Sequence, residues 1–276
     1  MRALTRRRWL TAALLAPLAP AGVQAQPARP LVWATTTSVE QSGLLAHLLP
    51  VLQRETGLRV RVVALGSGQA LDLGRRGDAD VLLVHDPPAE LRFMAEGWGQ
   101  QRRLIMRNDL VLLGPAHDPA GVRGLRDAAQ ALARIAAHDA VLVSRGDRSG
   151  THEAERRLWQ QAGWDPERVP QRRACGCGMG AALTLAAGLG GYVLADRATW
   201  LAWPRHGELA LLVEGDARLA NPYHLIVVHP QRHPHVRAEE ARRLADWLVG
   251  PRAQRLIGSF RLRGQVAFEP AAALSD

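Results

Sequence analysis

The stretch SRGDRSGTH, residues 144–152, follows a short apolar, strand-like run at 140–143 and leads into a helical pattern over 152–162. It combines arginine, glycine and hydroxyl residues at the point where a helix begins. A helix N-terminus offers unpaired backbone N–H groups and the positive end of the helix dipole, and both favour an anion. Arg145 adds a full charge and a planar fork of donors. The stretch therefore predicts an oxyanion site on a strand–turn–helix unit.

Two earlier junctions have similar residues, TTTS at 35–38 and GSGQ at 66–69. A tetrahedral dianion has no apolar surface to bury, so its affinity must come from many oriented donors, each worth about 1.5–3 kcal/mol to a charged group. The predicted oxyanion contacts are the hydroxyls, N-terminal residues and arginine of the three junctions: Thr36, Thr37, Ser38, Ser67, Arg145, Ser149, Gly150 and Thr151. The predicted supporting residues are Gln69, Asp147, Arg148, Cys177, Gly178 and Met179.

Some of these residues also fit purely structural roles. Thr37 with Glu40, and Ser38 with Gln41, have the spacing of a capping box, so part of the hydroxyl set could cap a helix. A cap and a ligand site are compatible if different hydroxyls serve each. The glycine-rich turn at 175–180 predicts either a further helix N-terminus or a tight packing turn.

The arginine stretch itself has two other interpretations. Arg145 could form a surface ion pair with Asp147. Ser149 and His152 could serve a periplasmic hydrolase, although the chain has no Gly-x-Ser-x-Gly elbow and no His-Glu-x-x-His motif. The sequence therefore favours a binding protein over an enzyme. A structural or sensor module is a third alternative.

The cysteines and histidines do not predict a metal or cofactor site. Only one residue separates Cys175 from Cys177, an unfavourable geometry for a disulfide, so free thiols are expected, with a strained disulfide as the alternative. Two thiols cannot complete a zinc site. His229, His233 and His235 lie in a polar loop without a carboxylate at ligand spacing. The chain has no lysine, which excludes both a P-loop lysine and a lysine that forms a Schiff base with a substrate or cofactor.

The N-terminus has the pattern of a cleaved export signal. Residues 1–25 hold four arginines, a short apolar run at 10–19 and a small-residue cleavage motif that ends at Ala25. The stretch TRRRWL at 5–10 resembles a twin-arginine signal, and the general secretory route is the alternative. The mature protein is therefore expected in the periplasm.

The remaining charge does not suggest a nucleic-acid partner. The formal net charge of +9 falls to near +5 when the signal arginines leave. Acids and arginines are interspersed and form no basic tract, so the charge is that of a solvated surface.

We expect the protein to be a monomer.

Strand-like runs alternate with helical patterns, which predicts an α/β fold with mainly parallel sheets flanked by helices. Breakers at 114–124 and 221–222 divide the chain into a first lobe, 30–114 plus 222–276, and a second lobe, 115–221. A ligand cleft between the lobes is expected. The predicted strands cover residues 31–34, 58–65, 80–84, 104–106, 110–113, 140–143, 192–195, 209–213 and 225–228.

Several motifs together resemble a known family, the periplasmic tungstate-binding proteins of ABC transporters. These motifs lie at residues 35–38, 42–45, 68–71, 77–87, 144–152, 178–181, 213–216 and 221–223. The resemblance covers nearly the whole mature chain. It implies a two-lobe periplasmic binding protein fold of the second type, with the ligand in the cleft.

The resemblance also implies a ligand and partners. Tungstate would be held by Arg145 and Thr151, with hydroxyls and N–H groups from the two earlier junctions. The partners would be a membrane permease and its ATPase. Two departures leave the preference for tungstate over molybdate open: the family often has an acid at Arg148 and a glutamine at Cys177. Receptors for molybdate, sulfate or phosphate remain alternatives, and partly protonated phosphate could use Asp147 as an acceptor.

Overall fold

The computed structural model describes residues 29–271, so the predicted export segment lies outside the described residues. Strands and helices alternate as predicted. The strands are β1 (Leu31–Thr36), β2 (Val60–Leu65), β3 (Val81–Val84), β4 (Gly99–Gly114), β5 (Leu142–Ser144), β6 (Arg172–Ala174), β7 (Tyr192–Asp196), β8 (Ala210–Val213), β9 (Ala220–Val228), β10 (Arg261–Leu262), β11 (Gln265–Val266) and β12 (Glu269–Pro270). The helices are α1 (Thr37–Gln41), α2 (Leu44–Thr56), α3 (Ser67–Arg76), α4 (Pro87–Ala95), α5 (Ala128–Ala137), α6 (Gly150–Gln161), α7 (Met179–Leu189), α8 (Arg197–Ala202), α9 (Ala238–Val249) and α10 (Pro251–Ser259). Between residues 29 and 271, no helix combines the length and the apolar character needed to cross a bilayer.

A continuous sheet with the strand order β2-β1-β3-β9-β4-β7-β5-β6 runs through the molecule. In its first half β1 is parallel to β2 and β3, and in its second half β5 is parallel to β6 and β7. The central pair, β4 and β9, is antiparallel. Parallel neighbours end at the same edge of a sheet, so within each half the turns that follow these strands lie side by side.

Each half of the sheet has its own core, which confirms the predicted two-lobe α/β fold. The first core includes Trp33 and Phe93, both fully buried. In the second half, side chains alternate between the two faces of the sheet. Leu112 belongs to the cluster on one face, and the neighbouring Val111 and Val193 belong to the cluster on the other. Helices cover both faces because both are apolar.

The passage between the lobes lies within a strand. Up to Asp109, β4 pairs with β9, and from Leu110 onward it pairs with β7. The sequence predicts two separate strands here and a crossing at 114–124, whereas the structure has one long strand whose last residues belong to the second half of the sheet. A continuous extended strand changes partners without a breaker, so no local signal marks this passage. The return is at the start of β9, where Asn221 pairs with Asn108.

Candidate oxyanion site

The first junction, between β1 and α1, places its hydroxyls in different roles. The Thr36 hydroxyl accepts a hydrogen bond from the Val39 N–H at 3.4 Å and so caps the helix. The cap thus stands one residue before the capping boxes predicted at Thr37 and Ser38. Thr37 and Ser38 therefore lie in the first turn with their hydroxyls free of capping.

The second junction joins β2 to α3 and is capped by a side chain from within the helix. The Gln69 Oε1 atom accepts from the Gly66 N–H at 3.1 Å, so this glutamine caps the helix, while its predicted support of an oxyanion stays a prediction. Ser67 is fully buried, and its hydroxyl accepts from the His85 N–H at 3.4 Å. This contact joins the second junction to the turn that follows β3.

The third junction is the SRGDRSGTH stretch. Ser149 is the N-cap of α6, and its hydroxyl accepts from the His152 N–H at 3.2 Å. Gly150 and Thr151 are the first helical residues and are buried. Asp147 supports the turn, since its Oδ1 atom accepts from the Ser149 N–H at 3.1 Å. The predicted strand–turn–helix unit is therefore present.

Arg145 lies between the lobes and is only 2% exposed. Its guanidinium donates to Thr37 Oγ1 of the first lobe and to the Cys177 carbonyl of the second, both at 3.3 Å. It also donates to the Asp147 carboxylate. The ion pair with Asp147 thus exists, but the alternative of a surface arginine does not hold because Arg145 is buried.

Glycines allow the junctions of the two lobes to approach one another closely. A Cβ on Gly150 would lie 2.4 Å from the His85 carbonyl oxygen, and one on Gly66 would lie 3.2 Å from the Asp147 carbonyl oxygen. The Gly68 N–H donates to the Arg148 carbonyl at 3.3 Å. The N-termini of α3 and α6 therefore lie close together and face each other.

Two of the predicted contacts carry buried hydroxyls without a hydrogen-bond partner among residues 29–271, Ser38 and Thr151. An unpaired buried polar group costs about 1–3 kcal/mol. Ser38 faces the Asp196 carboxyl, but neither its Oγ atom nor Asp196 Oδ2 is in hydrogen-bond geometry within the described chain. Both hydroxyls could donate to an acceptor-rich ligand, which fits an oxyanion.

Among the supporting residues, Cys177, Gly178 and Met179 lie at the start of α7. Gly178 is the N-cap of this helix and Met179 its first residue, so the turn forms a further helix N-terminus, one of the two predicted alternatives. A Cβ on Gly178 would lie 3.9 Å from Thr37 Oγ1, and the Gly180 N–H donates to the Gln41 side chain at 3.3 Å. The N-terminus of α7 therefore faces that of α1 across the lobes.

The side chain of Arg148 points away from this cluster. It is 68% exposed and lies 3.6 Å from the Asp72 carboxylate on α3. Its backbone has a φ of +56°, and only its carbonyl reaches the second junction. Arg148 therefore links the lobes at the surface rather than adding charge beside Arg145.

Cys175 and Cys177 form a disulfide, so the expectation of free thiols is wrong. The intervening Gly176 has a φ of +61°, a conformation that glycine adopts without a steric cost. This sharp turn brings the two Cα atoms to 5.1 Å, within the ordinary range for a disulfide. The estimate from sequence spacing did not include a left-handed residue.

His85 is a residue of this region that the sequence analysis missed. Its Nδ1 atom lies 2.7 Å from Asn221 Oδ1, while the Asn221 amide donates to Asn108 and Tyr223. This arrangement puts the proton on Nδ1 and leaves Nε2 as a buried acceptor. Burial, assisted by the charge of Arg145, lowers the pKa of His85 to about 4. The only signal was its position directly after the buried strand β3.

Asp196 is the second missed residue. It is fully buried, and its Oδ1 atom caps α8 by accepting from the Thr199 N–H at 2.9 Å. Burial raises the pKa of its carboxyl, an effect that the hydrogen bonds of Thr199 and the charge of Arg145 partly offset. A carboxyl therefore stands near the predicted site opposite Arg145. It also ends a strand, so its position resembles that of His85.

The alternative site residues have other partners. His152 Nδ1 accepts from the Arg148 N–H at 3.1 Å and its Nε2 lies 3.4 Å from Arg172, so in the described chain neither ring nitrogen activates Ser149. His233 and His235 bond to backbone carbonyls, each at 2.9 Å. Residues 29–271 contain no group of three metal-binding side chains.

Comparison with known proteins assigns the chain to a family. The sequence pattern described as a PBP superfamily domain matches residues 21–252. The tungstate-binding protein TupA of Peptoclostridium acidaminophilum is 41% identical over 247 residues, which cover 88% of this chain and 86% of that protein. The chain belongs to the TupA family. An anion-binding protein of a putative ABC transporter from Haloferax volcanii has the same identity over 88% of this chain and 72% of its own length.

Solved structures of the TupA family have the same fold. The tungstate-binding protein TupA from Desulfovibrio alaskensis is 43% identical, has a TM-score of 0.76 and covers 89% of this chain and 100% of its own. The tungstate ABC transporter protein from Geobacter sulfurreducens has 41% identity and the same TM-score of 0.76, with 84% and 98% coverage. The family resemblance inferred from the sequence motifs is thereby confirmed.

Proposed function

We propose that this protein is a periplasmic receptor that binds a tetrahedral oxyanion and delivers it to a membrane permease with its ATPase. Tungstate is the first candidate for this oxyanion. The observation that carries the proposal is Arg145, a buried arginine that reaches from the second lobe to Thr37 of the first. Few full charges are needed because the helix N-termini supply partial positive charge. The relatives named for tungstate and for ABC transport support this assignment.

The donor set fits a fully deprotonated oxyanion. The buried hydroxyls of Ser38 and Thr151 can each donate to a ligand oxygen. Asp147, the acceptor considered for phosphate, already receives Arg145 on one oxygen and the Ser149 N–H on the other. Both Asp147 oxygens therefore already have a donor within the protein, and its charge is paired with that of Arg145. This favours tungstate, molybdate or sulfate over phosphate.

Phosphate remains the second candidate because of Asp196. Its Oδ2 atom is buried without a hydrogen bond in the described chain, and it faces the Ser38 hydroxyl. A carboxylate in that place could accept the proton of hydrogen phosphate. Hydrolase activity through Ser149 and His152 is not expected. The Ser149 hydroxyl caps α6, and the His152 Nδ1 atom accepts a hydrogen bond from the Arg148 N–H.

Isothermal titration of the mature, ligand-stripped protein tests the proposal. We expect tight one-to-one binding of tungstate, and much weaker binding of sulfate and phosphate. The ratio of the tungstate and molybdate affinities then measures selectivity between two anions of equal charge and similar size. Heat from phosphate alone would move the assignment to the second candidate. No heat from any of the four anions would contradict the receptor function.

A further inference from the structure

The disulfide loop, which we define as residues 175–177, is joined to Ser144 by one hydrogen bond and to Arg145 by two. The Cys175 N–H donates to the Ser144 carbonyl at 3.0 Å, and the Cys177 N–H donates to the Arg145 carbonyl at 3.2 Å. In return, the Arg145 Nε atom donates to the Cys177 carbonyl at 3.3 Å. The loop thus fixes both the backbone of Arg145 and the direction of its guanidinium.

Apart from these bonds, the disulfide loop is supported by its two half-buried cysteines, which pack against the core of the second lobe. It follows β6, a three-residue strand at the edge of the sheet. Gly176, at its tip, is exposed and has no atom within 4 Å of the place a Cβ would take. Glycines also flank Cys177 on both sides, and glycine is the residue with the greatest backbone freedom. The covalent link between the two cysteines therefore restrains a turn whose glycines would otherwise give it backbone freedom.

The disulfide loop also sets the start of α7. Gly178, the N-cap of that helix, follows Cys177 directly, and the site of a Cβ on it lies 3.9 Å from Thr37 Oγ1. The same Thr37 Oγ1 atom accepts a hydrogen bond from the Arg145 guanidinium. A change in the loop would therefore displace the arginine and a helix N-terminus together, on the side of the site that faces α1.

We propose that the Cys175–Cys177 disulfide is a positioning element for Arg145 and that its reduction weakens oxyanion binding reversibly. A dithiol reductant supplies two electrons and two protons, the Sγ–Sγ bond breaks, two thiols form and the reductant becomes a disulfide. Both cysteines are half-buried beside the exposed Gly176, which leaves them accessible to a small thiol. The proposal rests on the proposed receptor function.

Titration of tungstate into oxidised, dithiothreitol-reduced and reoxidised protein tests this role, with free thiols counted in each state. Reduction is expected to weaken binding about tenfold, equivalent to one hydrogen bond from a charged group. Reoxidation should restore the affinity. The double variant Cys175→Ser/Cys177→Ser should bind as weakly as the reduced protein and should not respond to dithiothreitol.

Thermal unfolding of the ligand-free protein separates positioning from a purely structural role. A positioning role predicts a large change in affinity with a small change in the unfolding temperature. An affinity that stays within twofold after complete reduction would overturn the proposal, as would a loss of affinity that the serine variant does not reproduce. If the oxidised protein binds none of the oxyanions, the receptor function itself fails, and this outcome is distinguishable from failure of the disulfide role.

Discussion

The Nη2 atom of Arg145 lies 3.3 Å from the Oγ1 atom of Thr37, although 108 residues separate them in the chain. One residue follows a strand of the second lobe and the other begins a helix of the first. The contact means that the main positive charge of the predicted site reaches the opposite lobe. Opening of the lobes would therefore separate the charge from the α1 donors, which couples binding to closure.

Replacement of Arg145 should cause a large loss of tungstate affinity. Arg145→Gln is expected to weaken tungstate binding by about 100-fold or more, because a buried donor to a charged ligand contributes about 1.5–3 kcal/mol and the lost charge adds to it. Isothermal titration measures the change. The matched control is Arg168→Gln, whose side chain is 86% exposed and should bind as the unmodified protein does. Equal affinity in both variants would contradict the site assignment.

Arg148 should matter far less than Arg145. Its ion pair with Asp72 lies at the surface, where such pairs contribute about 0–1 kcal/mol. Arg148→Ala is therefore expected to weaken binding less than about fivefold, and the effect should shrink at high salt. Asp72→Asn also removes the ion pair of Asp72 with Arg75 on the same helix, and it should likewise weaken tungstate binding less than about fivefold. A loss as large as that of Arg145→Gln would show that Arg148 contacts the anion.

Gly150 is expected to tolerate no side chain. A Cβ there would lie 2.4 Å from the His85 carbonyl oxygen, a backbone atom that cannot rotate away, so Gly150→Ala should lower both stability and tungstate affinity. Gly188→Ala is the matched control, because it is also helical and has nothing within 4 Å of a Cβ. The control should gain up to about 1 kcal/mol in the free energy of unfolding. Denaturant titration of both variants measures the difference.

His85 should make the fold lose stability in mild acid. Its pKa is about 4 in the folded protein against 6.5 ordinarily, so below pH 6.5 the unfolded chain takes up a proton that the fold refuses. The free energy of unfolding should fall by about 3 kcal/mol as the pH drops from 6.5 to 4. His85→Asn should remove this slope while keeping a donor to Asn221.

Carboxyls with raised pKa values oppose the His85 effect. Asp86 and Asp196 lose a proton less readily in the fold, so they favour the folded state as the pH falls. The comparison of the two pH profiles isolates His85, because both proteins contain these acids. Identical slopes for the unmodified protein and His85→Asn would contradict the assignment of His85 as the neutral buried group.

Asp196→Asn separates the two candidate ligands. The amide oxygen can still accept from the Thr199 N–H, so the cap of α8 is kept while the charge facing Arg145 is removed. A receptor for deprotonated dianions should bind tungstate severalfold more tightly in this variant, because less negative charge opposes the ligand. A selective loss of phosphate binding would instead identify Asp196 as a proton acceptor.

Local patterns were sufficient to predict the strand–turn–helix junctions. The start of a helix depends on neighbours within one turn, although the cap of α1 is Thr36 rather than Thr37 or Ser38, and periodicity identifies the strands before the helices. The sequence therefore predicted an α/β fold, the donor-rich helix starts and the choice of Arg145 as the central charge. The family motifs extended this to two lobes.

Only the tertiary structure decided which of these residues meet. The contact of Arg145 with Thr37 depends on strands of two different lobes, and the positions of His85 and the buried Asp196 depend on strands that are equally distant in the chain. The sequence also gives no signal for the passage between the lobes in β4. An extended strand can pair first with β9 and then with β7 without any local change in its backbone. The pairing of Cys175 with Cys177 was misjudged because it depends on the left-handed backbone of one glycine between them. Neighbouring residues determine where helices and strands begin and which donors a turn offers. Long-range packing determines which of these residues are buried and which lie close together.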